Sequence, residues 1–522
     1  MKFRVAFLSA AFAALMSSTV LPGQAVAETV VTMTVGQIFK SIDPAKITDY
    51  TDYMAAVNLY DALVSVDSEG RIIPELAESW EVSSDAKEVT YKIREDAKFN
   101  DGSPVEATDV VYSVERLLRV NQGPASLFAD VLSPGSVTAV DAKTVKFTLS
   151  KTFAPFLSIV PTIFILNKDV VEANAGSDDG QTYLSANVAG AGAYNLKTFD
   201  RGSQLVVVRN KDYYKGFGEG PIDEVRWVIV NDEASVRAMA ASGELTMTGP
   251  FQSPDTYKAL GQMERMRLQT DPTTSSLYLK LNSKVAPTDD VHIRKAIALA
   301  TDYATIRDVI LPGEILKTPL PGTFAEYLAD DIPEPRYDLE AAKAEVAKSK
   351  YAGSTPIPIT LGYLTGIKYQ EEISLLMQAN LEQIGFKVKQ EVNPWNRVTE
   401  LATKVETTPA VNQIFFSATY PSPDSIFYAQ YHSKAAGTWA SMEWLQNPEI
   451  DKLIEDARGA GDKAKQIEIY KELQHKLVDM QSDVFLLTQI TTHAVDKCLT
   501  GLTIVPMRSF GYDFTRLSWT CK

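Results

Sequence analysis

Beyond residue 273 the hydrophobic period of the chain switches repeatedly between that of a helix and that of a strand, which limits the possible folds more than any other feature. The segments HIRKAIALATDYATIRDVI, YDLEAAKAEVAKS, YQEEISLLMQANLEQIG and KAKQIEIYKELQHKLVDM repeat apolar residues at spacings of three, four and seven. That spacing predicts amphipathic helices. SLYLKLN, which begins this region, and IGFKVKQEV, ahead of the last of these helices, read as strands. From Gly190 to Asp271 strands dominate, with QLVVVRN and EVRWVIV as clear cases and ASVRAMAASG as a helix after them. Nearer the start, TVVTMTVG reads as a strand, and TDYMAAVNLYDALV as a helix carrying Met54, Val57, Leu59, Ala62 and Leu63 at helical spacing. VTYKI and VKFTL flank a further helix opened by Ala107-Thr108-Asp109. Irregular alternation of this kind defines a mixed α/β class. A chain of 522 residues needs two or three cores, because single cores stop growing beyond about 250–300 residues.

The first residues address the compartment. Lys2 and Arg4 precede an apolar run from Val5 to Met16, and Pro22, Gly23 and Ala25-Val26-Ala27 supply a breaker and a small-x-small cleavage site. These are the parts of a secretory leader, so residues 1–27 are expected to be removed and the mature chain to begin near Glu28 after export. The apolar run is shorter than the roughly 20 residues of a membrane span, and no cysteine stands at the cleavage site for a lipid anchor. Without Lys2 and Arg4 the chain has 49 basic against 66 acidic side chains, a net charge of −17. That excess disfavours phosphate backbones and anionic membranes as partners. Cys498 and Cys521 both lie in the last segment of a chain expected to reach an oxidising compartment, which favours a disulfide between them.

Several blocks together resemble the periplasmic solute-binding proteins of peptide, nickel and opine ABC importers, solute-binding protein family 5. The densest is LYDALVSVDSEGRIIPELAESWEVSSDAKEVTYKIREDAKFNDGSPVEATDVVYSVER. It is followed in the family's order by GAGAYNLKTFDRGSQLVVVRNKDYY, DDVHIRKAIALATDYATI, QIGFKV and NPEIDKLIEDAR. The resemblance implies a two-lobed, three-domain α/β fold with a hinge, of the type II, cluster C-like kind. It places a discontinuous first domain at 28–64, 190–272 and 490–522, a second at 65–189 and a third at 273–489. It further implies a monomeric, noncatalytic receptor that closes on a small-molecule ligand and delivers it to the membrane permease subunits of an ABC transporter. No cofactor, metal, nucleic acid or direct membrane anchor is expected.

The stretch IFFSATYPSPDSIFYAQYH, residues 414–432, corresponds to a cleft-lining strand and turn of that family. Peptide-binding relatives carry an aspartate there, in a tryptophan-x-x-Asp type of motif, which pairs with the ligand's amino terminus. Here Phe416-Ser417-Ala418-Thr419 occupies the segment. A threonine hydroxyl can hydrogen-bond but cannot neutralise an ammonium. The arginine that dipeptide-binding relatives use for the ligand carboxylate is also missing from LGYLTGIKYQ, where Lys368 is the cation. Aromatic and neutral polar residues remain: Trp395, Phe416, Thr419, Tyr420, Ser422, Tyr428 and Trp439, with Tyr50 and Tyr53 from the first domain. Aromatic faces stack on sugar rings and hydroxyls orient polyhydroxylated ligands, so an opine-like sugar conjugate, a glycoside or an oligopeptide-like solute without free charged ends is the expected ligand. Arg397 is a further candidate, since its planar fork suits a carboxylate or phosphate. Any single aromatic in this set would serve equally well as core packing.

Other classes are less well supported. A di- or oligopeptide receptor is the nearest alternative, and a secreted hydrolase a more distant one. No GxSxG elbow is present, and His292, His432, His475 and His493 are scattered without HExxH or other ligand spacing. GAGAYN lacks the third glycine of a dinucleotide fingerprint. Four histidines and two cysteines far apart argue against a protein-built nickel or haem site. A receptor reporting to a chemosensor would use the same cleft.

Overall fold

The computed structural model describes residues 28–36, 40–503, 505, 507 and 510–521, so the expected leader lies outside the described residues. Strand Val30–Val35 pairs in parallel with Glu224–Ile229, and Gln204–Arg209 and Tyr194–Asp200 complete a four-stranded sheet. Between its first visit to this sheet and its return at Tyr194 the chain builds a second one. That sheet is antiparallel, in the order Ala77–Val82, Glu88–Ile93, Thr144–Thr148, Val137–Asp141. The two sheets share one large apolar cluster that includes Trp227, Tyr91 and Phe147, and together they form the first lobe.

The second lobe is built on a six-stranded sheet in the order Gly313–Ile315, Asp483–Asp496, Met266–Leu281, Val411–Phe416, Ile357–Leu364, Phe386–Asn393. Helices Lys368–Gln383 and Lys463–Met480 bury residues at helical spacing, among them Ile373, Met377 and Leu381 in the first and Tyr470, Leu473 and Leu477 in the second.

Three elements depart from the sequence reading. SLYLKLN is not a strand of its own: it is the second half of one 16-residue strand, Met266–Leu281, which pairs with Asp483–Asp496 along nearly its whole length. The ladder runs from Met266 opposite Asp496 to Pro272 opposite Ile490, breaks, and resumes at Ser276 opposite Thr488. Proline has no N–H to give the ladder. In the gap the Thr273 hydroxyl donates to the Gln489 carbonyl at 3.1 Å and accepts from the Ser275 N–H at 3.0 Å. The helix expected over HIRKAIALATDYATIRDVI is two pieces, Val291–Leu299 and a short turn from Tyr303 that widens into a π turn at Ile306–Ile310. Asp302 divides them, because its carboxylate accepts from the Thr305 N–H and hydroxyl and starts a new helix. Helix Tyr50–Leu59 stops before Ala62 and Leu63. Gly190 and Gly192 of GAGAYN lie against its end, and a Cβ on either would come within 2.3 Å of the Leu59 backbone. The glycines of that motif therefore serve close packing.

Two covalent or charged ties hold outlying segments. Arg116, wholly buried, makes a fork-to-fork pair with Asp43 at 2.8 and 2.7 Å, and its Nε donates to the Asp179 carbonyl. Removing one member of such a pair strands a buried charge and costs roughly 3–5 kcal/mol. Cys498 and Cys521 form a disulfide across 23 residues of sequence, with Cα atoms 5.1 Å apart. The bridged segment also pairs Leu499–Thr500 with Ser518–Trp519. On the chain-entropy account a loop of this length contributes about 3 kcal/mol. The double variant Cys498→Ser, Cys521→Ser should thus lose about 3 kcal/mol in chemical denaturation, and reductant should lower the stability of the parent but not of the variant.

Candidate functional site

The parallel strands Ile357–Leu364, Phe386–Asn393 and Val411–Phe416 all end at the same edge of the second lobe. Helices begin just beyond those ends at Lys368, Trp395 and Asp424. The carboxyl ends of parallel strands open onto the crevice where α/β proteins bind ligands. Here that edge faces the break in the paired strands, because the Ala418 N–H donates to the Thr274 hydroxyl at 3.2 Å. The turn 417–423 therefore sits where one lobe passes into the other.

Several of the expected residues meet at this edge. Trp395 and Trp439 cross edge to face with centroids 5.1 Å apart, and Trp439 packs on Phe416 at 5.9 Å. Trp395 and Trp439 are half-buried, whereas Phe416 is buried. Thr419 is half-buried, and its N–H donates to the Ser425 hydroxyl at 2.7 Å. On the first lobe Tyr50 is half-buried with its ring edge-on to the exposed Phe251 at 5.5 Å.

The structure puts others elsewhere. Tyr53 is 3% exposed within the apolar cluster of the first lobe. Tyr420 also packs into that cluster, although it belongs to the turn of the second lobe, and its hydroxyl donates to Asp424 at 2.7 Å. The Ser422 hydroxyl accepts from the Asp424 N–H at 3.3 Å, at the start of the following helix. Tyr428 stacks on His432 and lies under Arg458. Arg397 is exposed and pairs with Glu400 on its own helix at 2.7 Å. Lys368 is 70% exposed and lies 3.9 Å from Glu372. Exposed pairs of this kind contribute little, and these two cations are engaged with neighbours on their own helices.

Sequence reasoning passed over Asp424, which is wholly buried five residues after Thr419. Its carboxylate accepts from the Tyr420 hydroxyl and faces Arg458 Nε at 3.4 Å. Burial pushes its pKa up and Arg458 pulls it down. It also passed over Tyr369 on the second lobe. Burial and the neighbouring phenols of Tyr257 and Tyr50, both from the first lobe, push the Tyr369 hydroxyl up, with a hydrogen bond to Gln489 acting against them. Phenols of the first lobe thus bear electrostatically on Tyr369 of the second. The aromatic richness of the chain gave only a diffuse hint of this.

The loop carrying Trp439 is fastened by buried charge. Lys280 Nζ lies 2.9 Å from Asp483 and 3.1 Å from Glu443, and all three are shielded from solvent. Tyr431 donates to Asp483 and Ser441 to Glu443. The Tyr431 and Tyr278 rings lie 4.6 and 5.1 Å from the ammonium. Two carboxylates thus share one buried cation. Burial pushes Glu443 up to about 7, with Lys280 lowering it and Asp483 raising it.

The chain belongs to the bacterial extracellular solute-binding proteins, family 5, whose family model matches residues 71–438. These are the substrate-binding components of ABC importers, and they work with membrane permease subunits. Over 489 residues the chain is 30% identical to the probable D,D-dipeptide-binding periplasmic protein of Escherichia coli K12, covering 92% of each. It is 27% identical over 472 residues to the periplasmic oligopeptide-binding protein of Salmonella typhimurium, covering 85% of this chain and 84% of that one. Among solved structures, the ABC transporter-associated periplasmic binding protein DppA of Helicobacter pylori with the peptide STSA superposes with a TM-score of 0.82 at 21% identity, covering 94% of this chain and 98% of that one. The periplasmic binding protein AgaA of A. tumefaciens R10 with agropinic acid gives 0.80 at 24% identity, covering 94% and 99%. The fold is accordingly the two-lobed, three-domain binding-protein fold. Among the described residues no helix is long and apolar enough to cross a membrane, and no group of three or more His, Cys, Asp and Glu could hold a metal ion.

The buried triad yields a pH prediction. Glu443 binds its proton more tightly folded than unfolded, so its contribution to stability is full below the unfolded value near 4.5 and is lost as pH rises through about 7. Urea denaturation between those limits should show that Glu443→Gln removes part of the fall in stability with rising pH. An unaltered slope would mean that Glu443 is ionised throughout.

Proposed function

We propose that the mature chain is exported to the periplasm after loss of residues 1–27, and that it acts there as an unanchored, noncatalytic monomer. It captures a small polar solute between its lobes and presents it to a permease. Its first domain comprises 28–64, 190–272 and 490–522, its second 65–189 and its third 273–489, so the connection between first and third runs through the paired strands near Thr273 and Gln489.

The ligand we propose lacks a free ammonium: an opine or glycoside conjugate, or an oligopeptide-like solute with masked ends. The observation that carries this reading is the state of the carboxylates at the turn. Thr419 stands where the resembling peptide receptors hold an aspartate, and Asp424 is already taken by Tyr420 and Arg458. An ammonium docked there would remain unpaired, at a cost of several kcal/mol. Trp395, Trp439, Phe416 and Tyr50 would supply flat apolar faces, Thr419 and Ser422 hydroxyls, and Arg397 a carboxylate partner if it leaves Glu400. Tyr53 and Tyr420 would support the cleft from behind. The opine-bound neighbour offers a precedent for such a ligand on this fold. A net charge of −17 after loss of the leader also disfavours nucleic acid as a partner.

Thermal-shift measurements on ligand-stripped protein test the reading. Sugar-conjugated opines or glycosides should raise the melting temperature by about 2–5 °C at saturation, with unmodified dipeptides leaving it in place. The opposite pattern would make the protein a dipeptide receptor. Trp395→Ala should weaken binding of the stabilising compound about tenfold or more while keeping the parent melting temperature. Loss of the fold would return Trp395 to the packing of the lobe.

A further inference from the structure

The lobes also touch through groups that ligand binding does not employ. Arg458 lies near the end of helix Pro448–Gly459 on the second lobe, and its side chain is 5% exposed. Its Nε is 3.4 Å from Asp424 in the same lobe, and its Nη1 is 3.4 Å from Glu455. The same Nη1 lies 3.5 Å from Asp130, which follows helix Ala125–Phe128 of the first lobe. The guanidinium is 3.9 Å from the Tyr428 ring centroid of its own lobe and 4.8 Å from that of Phe153 of the first lobe. The Ala154 N–H of the first lobe donates to the Arg458 carbonyl at 2.8 Å. Two looser pairs flank this contact, Lys434 with Asp130 at 3.6 Å and Lys151 with Glu455 at 3.7 Å.

We propose that Arg458 is a positioning residue that couples the cleft turn to lobe closure. This inference rests on the two-lobed binding reading. Asp424 and Tyr420 tie the turn 417–423 to the guanidinium, and Asp130, Phe153 and Ala154 meet it when the lobes close. An arginine suits this place because its edge can pair with carboxylates while its faces lie on aromatic rings. Opening leaves no lone buried charge: Arg458 keeps Asp424, Glu455 and Tyr428, and Asp130, already 30% exposed, is rehydrated. The latch is therefore weak, and contacts made by the ligand decide the balance. Because one guanidinium serves both sides, whatever fixes the turn favours closure and closure fixes the turn, by equal amounts.

The test uses the full mature chain, stripped of ligand by denaturation and refolding, with spin labels at Val140→Cys and Val309→Cys. Both positions are well exposed, one on each lobe. Pulsed electron resonance then gives the inter-lobe distance distribution at low salt and at about 1 M salt, where exposed charge pairs are screened. Open and closed populations are expected, with the closed one shrinking in salt. Asp130→Asn should lower the closed-to-open ratio about two- to fivefold and flatten its salt response, with an unchanged melting temperature. Arg458→Lys, which keeps the charge and loses the stacking, should lower the ratio while retaining the salt response. If Asp130→Asn reproduces the parent distribution and its salt dependence, the latch is overturned and the binding reading survives. A single, salt-independent distance in the parent and all variants would overturn the lobe movement on which both depend. Should Arg458→Lys fail to fold, Asp130→Asn on the opposite lobe decides alone.

Discussion

The paired strands Met266–Leu281 and Asp483–Asp496 are the constraint from which the rest of the molecule follows. Each serves both lobes without a break in the chain direction, so the lobes are joined by backbone hydrogen bonds and not by a loose linker. The interruption between Pro272 and Ser276 gives this connection a place to flex. Proline removes a donor, and side-chain hydroxyls from Thr273 and Thr274 take over bonds that a regular ladder would have made. Thr274 holds the end of the cleft turn, which sets the aromatic edge of the second lobe beside the first.

Buried charge plays a related part in three places. Arg116 with Asp43, Lys280 with Asp483 and Glu443, and Arg458 with Asp424 each fasten a loop or helix end to the body of a lobe. Removing charges from water costs nearly as much as their attraction returns, so such groups are better read as fixing location than as adding stability. The Lys280 cluster holds the loop that presents Trp439, and Arg458 holds the turn that presents Thr419. Hydrophobic burial around Trp227 and along the long helices supplies the net drive to fold.

Much of the architecture was legible in the chain because period and burial go together. The helices Leu339–Lys348, Lys368–Gln383 and Lys463–Met480 stand where their apolar spacing put them, and so do strands Gln204–Arg209, Glu224–Ile229 and Phe386–Asn393. The misread elements share a cause. A strand that crosses from one lobe to the other looks like two strands when only local pattern is visible, and an aspartate inside a long apolar repeat can restart a helix without disturbing its period. The site was legible in part. Trp395, Phe416 and Trp439 come together, but Tyr53 lies in the core and Tyr420 in the packing between lobes, because residue type alone does not say which face of a turn meets solvent.

By itself the sequence determined the α/β class, the leader-like start, the acidic balance and, through its ordered blocks, the resemblance to the family, since each is written in composition, period or local motif. Only the tertiary structure decided that Asp424 is already hydrogen-bonded by Tyr420 and paired with Arg458, that Lys280 is shared by two carboxylates, and that Asp130 reaches Arg458 across the lobes. These are meetings of residues up to 328 positions apart. Charges so distant in the chain acquire a relation only when folding removes the water between them.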